Sequence, residues 1–196
     1  MRFDTVLIAN RGEIAVRIIR ACREQNLGCV SVYSTADRDA LHVKFADRAV
    51  CIGAPATADS YLRMDSIIEA CRQTGATAVH PGFGFLSENA EFAKLCREND
   101  ITFIGPSPEC IAMLGDKAQA KETMKAAGVP VIPGSEGALH SIEEAKEIAK
   151  KIGYPVLVKA SAGGGGRGIR RVDSEEQLEE QLHVAQEEAK KFFGDD

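Results

Sequence analysis

Short apolar runs alternate with helical stripes through the first half of the chain. Thr5-Val6-Leu7-Ile8-Ala9 reads as a buried strand, and Ile14, Ile18, Ala21 and Cys22 follow at helical spacing until Asn26 and Gly28. Further strands are predicted at Cys29–Tyr33, Ala49–Ile52, Ala76–Val79 and Thr102–Ile104. Between them, a helix over Asp65–Thr74 carries Ile67, Ile68 and Cys71 and meets Gly75. Another starts at Ser87 and carries Phe92, Leu95 and Cys96. Strands alternating with helices across short loops imply a parallel sheet covered by helices. Right-handed crossovers make that sheet doubly wound, an α/β fold.

Helix signals sharpen beyond Gly105. Ser107-Pro108-Glu109 supplies an N-cap, a proline at the first helical position and a first-turn acid, and Gly115 ends that helix. Asp116-Lys117-Ala118-Gln119 opens the next in a capping-box arrangement, and Gly128 and Pro130 stop it. Ser141 with Glu144 caps a third, whose apolar face is Ile142, Ala145, Ile148, Ala149 and Ile152, with Gly153-Tyr154-Pro155 at its end. Ser174 with Gln177 caps the last, with Leu178, Leu182, Ala185 and Ala189 on one face. The strands predicted here are Val129–Ile132, Val156–Ala160 and Ile169–Val172. An α/β domain is therefore expected first and a smaller α+β unit after it. The second unit is thin for an independent core. Phe192-Phe193 ahead of an acidic end gives the expectation that more chain follows.

Composition narrows the classes of function. A chain of 196 residues, 44% apolar, accommodates one large domain or two small ones. A net charge of −5 argues against a general nucleic-acid binder. No apolar run approaches about 18 residues, so no membrane span is expected. Met1-Arg2-Phe3-Asp4 leads straight into a strand and lacks the form of a signal peptide. Six cysteines, none in C-x-x-C spacing, read as reduced core residues of a cytoplasmic protein, with a redox or zinc role as the alternative.

The segment Val156-Leu157-Val158-Lys159-Ala160-Ser161-Ala162-Gly163-Gly164-Gly165-Gly166-Arg167-Gly168-Ile169-Arg170-Arg171-Val172 carries the clearest chemistry. Glycines let a backbone approach an anion and turn its N–H groups inward, and the lysine adds a positive charge beside them. Because the glycines lead into a strand, this is not a Walker A loop, which opens a helix. A glycine loop between two strands, with a lysine on one, forms a flap over nucleotide phosphates. The alternative is a flexible linker, although linkers are usually flanked by polar sequence.

Three further motifs stand in order: Ile8-Ala9-Asn10-Arg11-Gly12-Glu13-Ile14-Ala15, His80-Pro81-Gly82-Phe83-Gly84-Phe85-Leu86-Ser87-Glu88-Asn89, and Phe103-Ile104-Gly105-Pro106. With Met113-Leu114-Gly115-Asp116-Lys117 and the glycine loop, they resemble biotin carboxylase, of the ATP-grasp superfamily, from end to end of the chain. Ala36-Asp37-Arg38-Asp39-Ala40-Leu41-His42 is more similar to the acetyl-CoA carboxylase subunit than to pyruvate carboxylase. The resemblance implies a ligase that uses ATP and Mg2+ to activate bicarbonate as carboxyphosphate. Its CO2 then passes to the ureido nitrogen of biotin on a biotin carboxyl carrier protein, ahead of carboxyltransferase subunits. It further implies a homodimer and a role in fatty acid biosynthesis. The domains implied are a Rossmann-like pre-ATP-grasp domain over 1–114 that leaves the nucleotide to other parts, a helical hinge over 115–130, and a partial ATP-grasp lid subdomain over 131–196.

Residue by residue, Lys117 matches an ATP-binding lysine in the hinge. It equally suits a solvated position in a first helical turn, although a cation there meets an unfavourable helix dipole. Lys159 matches the phosphate-contacting lysine, or is a surface lysine at a strand end. Gly164, Gly165 and Gly166 match loop glycines over the phosphates, and Ile169 an apolar contact to adenine. His80, Phe83, Gly84 and Glu88 match the biotin-pocket side. His80 also fits a satisfied buried histidine, and Glu88 a first-turn acid. Phe83 replaces the tyrosine of some members, and Ala162 a glycine. Arg20 and Glu24 match dimer-interface positions, or form an i,i+4 surface pair. Metal ligands, the base for bicarbonate and the arginines for bicarbonate and biotin are expected beyond residue 196. The chain alone is therefore expected to be inactive. Alternatives are another ATP-grasp ligase of carbamoyl-phosphate synthase type and a non-catalytic dimerisation module.

Overall fold

A computed structural model describes residues 3–115, 117–135, 137, 139, 141–159 and 169–193. The chain forms two compact units, Met1–Gly115 and Asp116–Asp196.

The first unit is built on five parallel strands: β1 (Thr5–Ile8), β2 (Gly28–Ser34), β3 (Arg48–Gly53), β4 (Ala78–His80) and β5 (Thr102–Phe103), in the order β3-β2-β1-β4-β5. β1 alternates between two cores. Val6 and Ile8 face α1 (Gly12–Glu24), through Ala15, Ile18, Ile19 and Cys22. Leu7 and the adjoining Ala9 face the other side, where α3 (Met64–Thr74) and α4 (Ala90–Glu98) bring Ile67, Ile68, Cys71, Phe92 and Cys96. Burial on both faces is why β1 reads as an unbroken apolar run. Helices on both faces make the sheet doubly wound, as its strand–helix alternation predicts. The order in which strands are added reverses between β1 and β4, so their carboxyl ends form a topological switch point.

Several elements depart from the sequence reading. The helix expected at Ser87 starts at Ala90, because the Asn89 side chain accepts a hydrogen bond from the Phe92 N–H (2.8 Å) and caps it there. The residues ahead of it form a turn closed by Ser87 N–H to Gly84 C=O (2.9 Å). A short helix, α2 (Leu41–Phe45), escaped prediction, since five residues are too few for a periodic stripe. α5 (Pro108–Gly115) follows the proline signal, with the Ser107 hydroxyl accepting from Cys110 N–H (3.3 Å). The four cysteines at positions 22, 29, 71 and 96 are buried, Cys51 and Cys110 are exposed, and all six are unpaired.

The second unit contains α6 (Lys117–Ala126), α7 (Ile142–Ile152), the antiparallel hairpin strands β6 (Val156–Lys159) and β7 (Ile169–Val172), and α8 (Glu175–Phe193). Ser141 caps α7 as its sequence indicates, accepting from Glu144 N–H (3.1 Å). Ala145 and Ala149 on α7 meet Leu178 and Leu182 on α8 and Val156, Val158 and Val172 on the hairpin. Ile152, assigned to the apolar face, is exposed instead. Gln177 reaches back to the Asp173 N–H (3.3 Å) rather than completing a box with Ser174. Val129–Ile132 forms no strand. Pro130 lacks the N–H a ladder needs, and Ile132 is left 85% exposed. The Asp116 cap and the glycine loop over 160–168 lie outside the described residues.

Candidate functional site

At the switch point, chain order places Asn10 just past β1 and His80-Pro81-Gly82-Phe83 at the end of β4. Asn10 is buried and spans the gap. Its Nδ2 donates to Pro81 C=O (2.7 Å) and Phe83 C=O (2.8 Å), and its Oδ1 accepts from Arg11 N–H (2.9 Å). Gly82 is required here twice over. Its φ is +68°, and a Cβ would stand 2.8 Å from Asn10 Nδ2. His80 is half-buried, and its Nδ1 accepts from Gly82 N–H (3.0 Å), so the satisfied-histidine reading describes that nitrogen. Burial holds its pKa below the ordinary imidazole value.

The turn that follows is unusual. Gly84 has φ +66° and Phe85 has φ +43°, a left-handed backbone that an aromatic residue adopts only under constraint. The constraint is a cluster drawn from separate segments, with no periodicity that joins them in sequence. The Phe85 ring stacks on Tyr61 (centroids 5.1 Å apart, planes 5° apart), and the Arg11 guanidinium lies 5.4 Å from the Tyr61 ring and 5.8 Å from the Phe85 ring. Asp37 ties the cluster together. Its Oδ2 accepts from the Tyr61 hydroxyl (2.6 Å), the Ser34 hydroxyl (3.0 Å) and Arg11 Nη1 (3.3 Å). Burial raises the Asp37 pKa, but these three donors together hold it below the ordinary carboxylate range. Burial, with Asp37 beside it, pushes the Tyr61 hydroxyl up to about 12. Phe83 is 61% exposed at the apex of the turn. A cavity of about 390 Å³ opens between residues 10–14 and 83–85. Glu88 is exposed ahead of α4. The first-turn acid there is Glu91, so that alternative for Glu88 does not hold.

Arg20 and Glu24 are exposed on α1 and, among the described residues, form no ion pair with each other. The i,i+4 pair is thus not formed. Arg20 borders a second cavity, of about 500 Å³, with Glu13, Arg17 and Leu41.

In the second unit the hairpin buries Val156, Val158, Arg170 and Val172 wholly or partly and exposes Leu157, Lys159, Ile169 and Arg171. Lys159 and Ile169 are direct cross-strand partners, a cation and an apolar side chain together on the outward face. Lys117 is the first described residue of α6, and its side chain lies outside the described set, as do Gly164, Gly165 and Gly166. Among the described residues no group of His, Cys, Asp or Glu is arranged to hold a metal ion, and no helix is long and apolar enough to cross a membrane.

Residues 2–111 match the family model described as biotin carboxylase, N-terminal domain. Residues 116–196 match carbamoyl-phosphate synthase L chain, ATP binding domain. The chain is 57% identical over 194 residues to a biotin carboxylase of Nostoc sp., covering 99% of this chain and 43% of that protein. It is 56% identical to biotin carboxylase 1 of Bacillus subtilis, covering 96% and 42%. Among solved structures, a Campylobacter jejuni biotin carboxylase in a β,γ-ATP complex aligns at TM-score 0.91 and 50% identity, over 99% of this chain and 44% of that one. The biotin carboxylase domain dimer of Hydrogenobacter thermophilus 2-oxoglutarate carboxylase, with MgADP, ADP and bicarbonate, aligns at TM-score 0.89 and 54% identity, over 100% and 43%. The chain thus spans about two fifths of the length of these relatives.

Proposed function

We propose, from the premise that this chain belongs to the biotin carboxylase family, that it supplies one wall of an ATP site and one wall of a biotin site in an ATP-dependent ligase. The reaction is the activation of bicarbonate by Mg-ATP to carboxyphosphate, with release of ADP. Carboxyphosphate then yields CO2 and phosphate, and CO2 bonds to the ureido nitrogen of carrier-bound biotin as that nitrogen loses its proton. In this reading residues 1–114 support the biotin side, 115–130 form a hinge, and 131–196 form part of a lid.

The observation that carries the ATP assignment is the Lys159–Ile169 cross-strand pair. An exposed cation at the strand end suits a phosphate, and the partly exposed Ile169, with Leu157 nearby on that face, suits a purine ring. Lys117, Gly164, Gly165 and Gly166 are assigned to the phosphates on the resemblance alone. When bound, Mg2+ neutralises phosphate charge, and its acidic ligands are assigned to another part of the protein. The cavity beside Phe83 and Gly84 is within the range of small-molecule sites and is assigned to biotin, with His80 and Glu88 on its flank. The Ala36–His42 segment supports the acetyl-CoA carboxylase type, and with it a carrier protein, carboxyltransferase subunits, fatty acid synthesis and a cytoplasmic setting. The exposed Arg20–Glu24 face of α1 is assigned to a homodimer contact.

The test uses the full-length carboxylase that carries this chain. ADP release must require bicarbonate and be accelerated by biotin, and Lys159→Ala is expected to lower kcat/KM for ATP by about tenfold or more. Unchanged kinetics in Lys159→Ala would remove the ATP assignment. The chain by itself is expected to release no ADP, because phosphoryl transfer depends on positioned metal and charge that the lid alone does not provide. Carboxylation of acetyl-CoA rather than pyruvate or 2-oxoglutarate by the assembled enzyme tests the subtype.

A further inference from the structure

We infer that Arg11 is a positioning residue for biotin, acting through Phe85 to fix the turn that presents Phe83 and Gly84. The inference rests on the biotin-side reading above.

Three of the four residues from Gly82 to Phe85 have positive φ. Two are glycines, to which this conformation costs little. Phe85 is not. Elsewhere in the described chain the non-glycine residues with positive φ are Asn26 and Asp100, types that tolerate the left-handed region. An aromatic residue in that region persists when its surroundings over-determine it. At Phe85 the surroundings are Tyr61, which is fully buried and bound through its hydroxyl to Asp37, and the Arg11 guanidinium beside both rings. Asp37 holds Arg11 and Tyr61 at once, so the cation and the ring move as one piece. The backbone on the other side is fixed independently by Asn10, which grips Pro81 and Phe83. The turn is therefore clamped at both ends, with the exposed Phe83 ring and Gly84 between the clamps and on the rim of the 390 Å³ cavity. Such support fixes the geometry of residues that meet a ligand. Arg11 also lines the cavity, but its guanidinium is committed to Asp37 and the two rings. Its effect on a ligand is accordingly indirect.

The test is steady-state kinetics of the full-length carboxylase with free biotin, comparing wild type, Arg11→Ala, Arg11→Lys and Tyr61→Phe. Arg11→Ala is expected to raise the KM for biotin about tenfold while KM for ATP stays within about twofold. Arg11→Lys keeps a cation beside the rings and is expected to recover most of that loss. Tyr61→Phe keeps the stack but drops the bond to Asp37, and is expected to raise the biotin KM about threefold. A role confined to folding would lower kcat for lack of active enzyme and leave each KM where it was. If Arg11→Ala does not fold, Tyr61→Phe and Arg11→Lys decide the question on the same readout. An unchanged biotin KM in the folded variants, or an equal rise in both KM values, overturns the inference. A wild-type enzyme whose ADP release ignores biotin overturns the biotin-side reading beneath it.

Discussion

Replacing Asn10 is the sharpest probe of the switch point. Asn10→Ala removes three hydrogen bonds: Nδ2 to Pro81 C=O, Nδ2 to Phe83 C=O, and Arg11 N–H to Oδ1. At about 1 kcal/mol net for each bond, the sum is roughly 3 kcal/mol. Pro81 is buried and its carbonyl is left without a donor, whereas Phe83 is exposed and its carbonyl can recruit water, which lowers the expected loss to about 2 kcal/mol. Asn10→Asp is the more discriminating change. It replaces the shared donor with an oxygen facing two carbonyl oxygens, so the carboxylate is repelled and the folded state favours the protonated acid. Its folded pKa thus lies above its unfolded value of about 3.9. Stability relative to wild type is then greatest below that value and falls as pH rises, at up to about 1.4 kcal/mol per pH unit, until the folded pKa is passed. Urea denaturation followed by far-UV circular dichroism, at about pH 4 and about pH 7, measures both effects. An Asn10→Ala protein within about 0.5 kcal/mol of wild type would refute the reasoning. So would an Asn10→Asp deficit that is the same at both pH values.

Other properties of the first unit are open to measurement. A water-soluble thiol reagent is expected to label Cys51 and Cys110 quickly in the native protein and the other four only on unfolding, with Cys71 and Cys96, held near 12 by burial, among the slow ones; mass spectrometry locates the adducts. Phenolate absorbance lost in Tyr61→Phe should titrate near 12, and because the unfolded tyrosine ionises near 10 first, stability should fall between those values. His42 is 1% exposed. Burial depresses its pKa, outweighing the opposing influence of the Val32 carbonyl and Asp37. The unfolded chain therefore binds that proton first, stability is lost as pH falls below about 6.5, and His42→Leu should flatten that loss in denaturation curves.

Periodicity made the doubly wound sheet legible because its central strands are buried on both faces and its helices on one. β1 shows this directly, with Val6 and Ile8 serving one core and Leu7 and Ala9 the other. The start of α4 was not legible. Ser87, Glu88 and Asn89 all carry cap-compatible side chains, and the choice fell to Asn89 because the Phe85 turn uses up the residues before it. Nor was the Arg11–Asp37–Tyr61–Phe85 cluster, whose members lie far apart in sequence and repeat at no period. Arg11 stands in the Ile8–Ala15 motif without a role of its own, and Tyr61 stands in no motif. Their joint role exists only once β1, β2 and the loop before α3 converge. On the hairpin, by contrast, Lys159 and Ile169 flank the glycine run in sequence, and their pairing follows from an antiparallel ladder closing around it.

On the proposed reading, the two units divide tasks that open α/β domains often combine. In such domains a phosphate sits on free N–H groups at the first helix after β1, at the switch point. Here that helix end is ill-suited to an anion. The Arg11 N–H is taken by Asn10 Oδ1, and Glu13 stands in the first turn of α1, on the wall of the cavity where a phosphate would lie. An acid there cancels the attraction of the helix terminus, and the nearest guanidinium is directed to Asp37 and two rings. The space at the switch point is therefore available to a ligand that is not a phosphate, and its rim is the clamped turn from Gly82 to Phe85. The cationic and apolar side chains proposed above to meet a nucleotide lie instead on the outer face of β6 and β7, where Lys159 stands opposite Ile169. This partition also explains the two separate glycine signatures in the sequence. The glycines at 82 and 84 serve a strained turn packed against Asn10, while those at 163–166 belong to the loop assigned to phosphates. Exchanging Glu13 for Gln should therefore leave KM for ATP unchanged in the full-length enzyme, and a changed value would return the nucleotide to the switch point.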